Sequence, residues 1–154
     1  MPTIILHTLI KASQESCFDL SRSVELHLLS TAKTDERVVK GKTSGLLERD
    51  DEITWRARHF GVRQNLTSRI TEFEFPNRFV SEMQKGAFRK LHHQHLFRKE
   101  GGLTEMTDIF EFEAPLGVIG KVFCYLCLTK YMRNFLEERN KIIKEKAELL
   151  KPVI

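Results

Sequence analysis

The segment from Val38 to Phe112 constrains the fold most strongly, because its side chains alternate between apolar and polar over much of its length. Turn-forming strings interrupt it roughly every 10 to 15 residues, a spacing typical of consecutive antiparallel strands. These strings are Arg49-Asp50-Asp51-Glu52, Phe60-Gly61, Pro76-Asn77, Gly86-Ala87 and Glu100-Gly101-Gly102. The segment therefore predicts a meander of six antiparallel strands.

The flanking segments predict one more strand and three helices. Thr3 to Ile10 is short, apolar and rich in β-branched residues, as strands are. Ser13 is a suitable N-cap for a short helix, and a second short helix is predicted over Ser23 to Ser30. Leu116 to Glu148 contains no proline and carries opposite charges at helical spacing, which predicts one long helix. Its apolar first half is expected to be buried on more than one side.

This order of elements predicts an α+β fold in which a curved, seven-stranded antiparallel sheet wraps round the long C-terminal helix. Residues 1–154 are expected to form a single domain, since the sequence has no repeat, no low-complexity tract and no linker. A curved sheet around one helix tends to leave a cavity, and concave apolar cavities bind small ligands.

Several strings, together with the order of elements, resemble the START-like superfamily, also called SRPBCC, and within it a branch of small stand-alone bacterial proteins. The resemblance covers the whole chain. The strings are Gly45-Leu46-Leu47, Ile53-Thr54-Trp55-Arg56-Ala57-Arg58-His59-Phe60-Gly61, Ile70-Thr71-Glu72-Phe73, Pro76-Asn77-Arg78-Phe79, Gly86-Ala87-Phe88, His93-Gln94-His95-Leu96-Phe97, Asp108 and Ala114-Pro115-Leu116-Gly117. The superfamily includes the birch pollen allergen type, polyketide cyclases and lipid-transfer domains. The resemblance implies a helix-grip fold enclosing a pocket for an apolar or amphipathic ligand.

Turn positions fix the register of a sheet, and register decides which face each side chain takes. The predicted cross-strand pairs are Trp55 with Leu66, Ala57 with Gln64, Ile70 with Met83, Glu74 with Phe79, His93 with Asp108, His95 with Met106, Phe97 with Thr104 and Leu91 with Phe110. The inner face then forms an apolar wall with one polar patch. Its candidate ligand-binding residues are Trp55, Leu66, Phe79, Met83, His93, His95, Phe97, Met106, Asp108 and Phe110.

The polar patch of His93, His95 and Asp108 has three interpretations. In the first, the patch is a structural network in which Asp108 accepts a hydrogen bond from His93, because buried polar groups need partners. Alternatively, it holds the polar end of a ligand. The third interpretation is a metal site, but the patch supplies only three ligands. We expect no metal and no cofactor. His59 is expected at the rim of the pocket.

Two classes of function follow from this inner face. The first is a carrier or sensor that binds an apolar or amphipathic molecule, lipid-like or polyketide-like, between the sheet and the helix. The second is a cyclase, dehydratase or hydrolase in which His93, oriented by Asp108, acts as general acid and base. The sequence favours the first, since no serine or cysteine nucleophile and no oxyanion loop lie beside the histidines.

Charge argues against a nucleic-acid partner. Twenty-five lysines and arginines against 21 acids give +4, but both signs alternate through most of the chain. A basic run on the predicted long helix is interleaved with glutamates, which favours a solvated face and at most transient contact with a membrane surface. The run comprises Lys130, Arg133, Arg139, Lys141, Lys144 and Lys146.

Three cysteines, an odd number, argue against a disulfide framework and favour a reducing compartment. The first residues also lack the pattern of a signal peptide, so a cytoplasmic location is expected. Cys124 and Cys127 form a lone CxxC inside the predicted helix, where two reduced, buried core thiols are expected.

Overall fold

Strands dominate the part of the chain that the computed structural model describes, which is residues 2–59, 61–114 and 127–150. The elements are β1 (Thr3–Ile10), α1 (Gln14–Ser21), α2 (Val24–Ser30), a 3₁₀ turn (Ala32–Thr34), β2 (Arg37–Lys40), β3 (Glu52–His59), β4 (Val62–Glu74), β5 (Arg78–Lys85), β6 (Lys90–Glu100), β7 (Leu103–Glu113) and α3 (Thr129–Leu149). Strands β2 to β7 are the six strands that the turn strings predict.

The seven strands form one curved antiparallel sheet in the order β1-β7-β6-β5-β4-β3-β2. The first strand therefore lies beside the last, and Thr3 pairs with Glu111. β1 and β2 are the two edges, and α1 and α2 connect them. The predicted α+β helix-grip architecture is confirmed, with two short helices after the first strand and the long helix at the C-terminal end.

Serine caps begin both short helices, because their hydroxyls accept backbone N–H groups that a first turn leaves unpaired. Ser13 accepts from the amide of Ser16, as predicted, and Ser23 accepts from the amide of Leu26. The side-chain amide of Gln14 fixes α1 against the sheet by donating to the carbonyl of Phe97 at 2.9 Å. The start of α1 is thus tied to β6.

α3 presents one apolar stripe to the rest of the protein and packs against β1, α1 and α2. Met132, Leu136, Ile143 and Ala147 are buried on this stripe. The predicted start of the helix at Leu116, its apolar first half and Cys124 lie outside the described residues. Cys127 is exposed, so the prediction that it is a buried core thiol is wrong.

Apart from residues 1, 60, 115–126 and 151–154, which lie outside the described ranges, the chain has no helix that is both long enough and apolar enough to cross a bilayer. The longest described helix, α3, has 21 residues but carries charged side chains along most of its length.

Two predicted registers are wrong, and a third is confirmed. β3 and β4 pair as predicted, with Trp55 opposite Leu66. Between β6 and β7 the turn centres on Gly101-Gly102, so His95 lies opposite Asp108 and His93 opposite Phe110. The shift is an even number of residues, and every side chain therefore keeps its predicted face.

The second register error lies between β4 and β5. Two irregularities, between Thr67 and Ser68 and between Ile70 and Glu72, change the pairing along these strands. Next to the turn, Phe79 lies opposite Phe73 rather than Glu74, because Glu74 pairs with Arg78. Farther along, where the irregularities lie, Met83 is opposite Ser68 rather than Ile70. A β-bulge places an extra residue in one strand, and a turn position alone does not reveal it.

Candidate functional site

A cavity of about 350 Å³ lies between the concave face of the sheet and α3. Strands β3 to β7 form its wall, and α3 closes it with apolar and aromatic side chains. The lining residues of α3 are Leu128 at its N-cap, the apolar or aromatic Tyr131, Met132, Phe135 and Leu136, and one charged residue, Arg139. The cavity matches the size of a small-molecule site, and most of its surface is apolar.

The structure brings most of the predicted pocket residues to this cavity. Those that line it are Trp55, Leu66, Phe79, His93, His95 and Phe110. Phe97, Met106 and Asp108 are buried behind the lining, and Met83 is half-buried away from it. Binding by any of them stays a prediction. His59, expected at the rim, lines the cavity and is half-buried.

Asp108 is the centre of a buried polar network behind the cavity wall. Its side chain is fully buried, and its Oδ1 accepts a hydrogen bond from His93 Nε2 at 2.7 Å. Its Oδ2 accepts from Asn140 Nδ2 at 2.7 Å, which joins β7 to α3. Nδ1 of His95 lies 3.6 Å from Oδ1. The network connects two strands and the long helix, so it fixes the helix over the sheet.

Arg139 completes this network. The prediction that it belongs to a solvated basic face of the helix is therefore wrong. Only 6% of Arg139 is exposed, and its Nη1 lies 3.8 Å from Asp108 Oδ1. Nη2 donates to the carbonyl of Ser21 at 3.1 Å, and Nη1 donates to Asn140 Oδ1 at 3.2 Å. Arg139 lies on the buried stripe between Leu136 and Ile143, a helical position that marks it as inward-facing.

Burial sets the charge states in this network. It lowers the pKa of His93 despite the neighbouring carboxylate, and it lowers the pKa of His95 well below the ordinary value. Burial raises the pKa of Asp108, but hydrogen bonds from His93 and Asn140 and the charge of Arg139 outweigh it, so the pKa lies below its ordinary value. The network thus holds one ion pair beside two neutral imidazoles.

His93, His95 and Asp108 form the only group of potential metal ligands found within the described ranges. Ligand atoms of His93, His95 and Asp108 all lie within 4.8 Å of one another. The buried guanidinium of Arg139, 3.8 Å from the carboxylate, opposes a second positive charge there. This arrangement favours the structural or ligand-holding interpretations of the patch over the metal site.

A second polar group lies at another part of the cavity and was missed from sequence. His27, for which the sequence offers no partner, is joined to Glu36 by a 2.7 Å hydrogen bond. Its ring also contacts Trp55, with centroids 4.0 Å apart and planes tilted by 31°. Burial raises the pKa of Glu36, but His27 outweighs it and keeps that pKa below its ordinary value. His59 is hydrogen-bonded to Tyr131 of α3. These contacts join distant parts of the chain, so local pattern gives no sign of them.

Structural comparison gives matches over nearly the whole chain. A protein from Thermus thermophilus has a TM-score of 0.79 at 18% identity, covering 98% of this chain and 100% of its own. A START superfamily protein from Mycobacterium smegmatis has a TM-score of 0.73 at 14% identity, covering 97% and 99%. The ginseng major latex-like protein 151 from Panax ginseng has a TM-score of 0.69 at 15% identity, covering 95% and 97%.

No protein-family model and no curated protein sequence matches the chain. Fold is conserved over distances at which sequence similarity disappears, and function does not follow from fold alone. A full-length structural match at these identities therefore establishes architecture and leaves the ligand open. By this architecture the chain adopts the helix-grip fold of the START-like proteins.

Proposed function

We propose that residues 1–154 act as one ligand-binding domain that holds an apolar or amphipathic small molecule, lipid-like or polyketide-like, in the cavity. The protein serves as a cytoplasmic carrier or sensor, with at most transient contact with a membrane surface. The observation that carries the proposal is the cavity itself, about 350 Å³ of mostly apolar surface with buried polar groups at its wall. The START-like fold supports it.

The energetics favour such a guest. Moving one methylene group from water into an apolar site contributes about 0.8 kcal/mol. Aromatic side chains such as Trp55, Phe79 and Phe110 supply large apolar areas around the cavity. Affinity in a homologous series should therefore rise with chain length until the cavity is full, and then level off.

The single tryptophan provides the assay. Trp55 is 6% exposed and lines the cavity, so its emission should change when a guest enters. Native mass spectrometry of the freshly purified protein tests for a co-purifying molecule, and titration with alkyl compounds of increasing length tests the size limit. The absence of saturable binding by every member of the series would refute the proposal.

A matched pair of variants distinguishes the cavity from the surface. Ala57 lines the cavity and is buried, whereas Arg58, the next residue of β3, is exposed on the opposite face. Ala57→Phe should fill part of the cavity and weaken binding of the longest guest by about tenfold or more. Arg58→Phe should leave that binding unchanged. Equal effects of the two variants would contradict binding in this cavity.

A second candidate function is a cyclase, dehydratase or hydrolase activity, favoured by the 2.7 Å hydrogen bond between His93 and Asp108. A neutral imidazole held by a carboxylate is suited to general acid and base catalysis. The test is conversion of the co-purified molecule, followed by mass spectrometry. His93→Gln should abolish conversion yet leave binding within about threefold, and a guest that never changes mass would contradict this candidate.

A further inference from the structure

His93 and His95 each use one ring nitrogen in or near the Asp108 network and leave the other unused. His93 Nε2 donates to Asp108, and His95 Nδ1 is buried with no hydrogen-bond partner, 3.6 Å from the carboxylate. The remaining nitrogens, His93 Nδ1 and His95 Nε2, have no hydrogen bond to any of the described residues. Both residues line the cavity, so these are the two ring nitrogens that remain available to a guest.

The Asp108 carboxylate determines which nitrogen of each ring carries the proton. Because His93 Nε2 donates to Oδ1, the neutral ring carries its proton there and Nδ1 presents a lone pair. For His95, a proton on Nδ1 faces the negative charge at 3.6 Å, whereas a lone pair there would be repelled. Nε2 of His95 is therefore also an acceptor. Burial supports the neutral form of both rings by lowering their pKa values.

The two imidazole rings lie side by side. The ring centroids of His93 and His95 are 3.7 Å apart, and apolar side chains enclose them. Phe79 stacks on His95 at 4.1 Å between centroids, and Phe110 meets His93 edge-on at 5.1 Å. A guest that reaches this end of the cavity thus meets two adjacent lone pairs in apolar surroundings.

Both arginines of the described lining already have acidic partners. Arg139 lies beside Asp108, and Arg22 is paired with Asp19 at 2.8 Å and with Glu48 at 3.3 Å. These pairs leave the cavity without an uncompensated positive charge among the described residues. An ionised carboxylate would lose its hydration and meet lone pairs, which is costly. A hydroxyl group would instead donate to one of the two nitrogens.

We infer that the guest is an apolar molecule that carries a hydroxyl group, an alcohol or a phenol, which donates to His93 Nδ1 or His95 Nε2. Ionised carboxylates should bind more weakly at neutral pH. This inference rests on the proposed function, because it names the chemical class of the guest that the cavity takes. The donor requirement follows from the tautomers that Asp108 imposes on the two rings.

A series of three compounds with ten carbon atoms each tests the donor requirement. 1-Decanol carries a hydroxyl, 1-methoxynonane an ether oxygen that only accepts, and decanoate a negative charge at about pH 7.5. We expect 1-decanol to bind at least about tenfold more tightly than either of the others. Decanoate or the ether binding as tightly as the alcohol would overturn the inference and leave the proposed function standing. Failure of all three to bind would overturn both.

Variants locate the acceptors. His95→Phe removes one acceptor and preserves the hydrogen bond between His93 and Asp108, while His93→Phe removes the other. Each should reduce the preference for alcohol over ether by about threefold or more. His92→Phe is the control, because His92 lies on the outer face and contacts Glu82 at 3.6 Å. A preference unchanged in both cavity variants, measured by Trp55 emission, would overturn the assignment of the two nitrogens.

Discussion

Replacing Asp108 by alanine should destabilise the protein more than any other single change in the polar network. The carboxylate is fully buried and accepts hydrogen bonds of 2.7 Å from both His93 and Asn140. Without it, Arg139 remains buried with no counter-ion, since its nearest carboxylate oxygen is the Asp108 Oδ1 at 3.8 Å. The variant thus removes one charge and leaves three donors facing an empty space.

The size of the effect follows from which loss dominates. Removing one partner of a buried ion pair costs about 3 to 5 kcal/mol, because the other charge stays desolvated. Losing one hydrogen bond to a buried donor costs about 1 to 3 kcal/mol. Asp108→Ala should therefore lower the free energy of unfolding by about 3 to 5 kcal/mol. His93→Phe, which leaves the ion pair intact, should cost less.

Urea unfolding followed by Trp55 emission measures both variants, with equal slopes required for a valid comparison. A double variant, Asp108→Leu with Arg139→Met, replaces the ion pair by apolar groups and should recover much of the loss. A loss below about 1 kcal/mol in Asp108→Ala would refute the reasoning, since it would mean that Arg139 is not desolvated at this position. Failure of the double variant to recover stability would refute the dominance of the unpaired charge.

Three further predictions concern other parts of the chain. Burial keeps the pKa values of His93 and His95 below 6.5, so at lower pH the unfolded chain binds more protons than the folded protein. The urea midpoint of unfolding should therefore fall as pH is lowered from about 7 to 5. A midpoint that does not change with pH would contradict this. Gly41→Ala should lower the free energy of unfolding by about 1 to 2 kcal/mol or more, and with it Tm. The reason is that φ of Gly41 is +98° and the added Cβ would lie 2.6 Å from the carbonyl oxygen of Glu52. An unchanged Tm would contradict this. Burial raises the pKa of Cys17 to about 11, whereas Cys127 is exposed. Iodoacetamide at about pH 8 should therefore modify Cys127 and leave Cys17 unmodified, as measured by peptide mass spectrometry. Equal modification of both cysteines would contradict this.

Local signals explain why most of the architecture was predictable. The bounds of β1, Thr3–Ile10, follow from its apolar β-branched run, and the Ser13 cap acts within three residues. Turn strings separate the strands because their residues suit tight turns. Each of these features is set by neighbours along the chain, so the sequence carries them directly.

Pairing depends on details that local signals do not carry. Gly101 and Gly102 follow Glu100, and the turn takes the two glycines rather than the glutamate, which moves each partner by two residues without changing its face. The sequence predicts that Asp108 lies directly opposite His93; it lies diagonally instead, and the predicted hydrogen bond between them still forms, at 2.7 Å. Face is more robust than register because side chains alternate with a period of two.

The helix side of the polar network was missed for a different reason. Arg139 and Asn140 look like solvated residues when composition is considered, since neighbouring positions carry lysines and glutamates. Their partners, Ser21 and Asp108, lie in elements far away in sequence. Tertiary contact decides whether a charged residue on an amphipathic helix is buried, and here the stripe from Leu136 to Ile143 was the available sign.

Because β1 pairs with β7, the sheet cannot be completed until both strands have been synthesised. β1 is synthesised before β7, the strand with which it pairs in the described residues, and β7 spans Leu103–Glu113, about a hundred residues later. Pairings between such distant segments require a large loop to close before any contact rewards it, which slows folding. During synthesis the apolar face of β1 therefore stays unpaired, exposed or bound by other factors, until β7 has emerged from the ribosome.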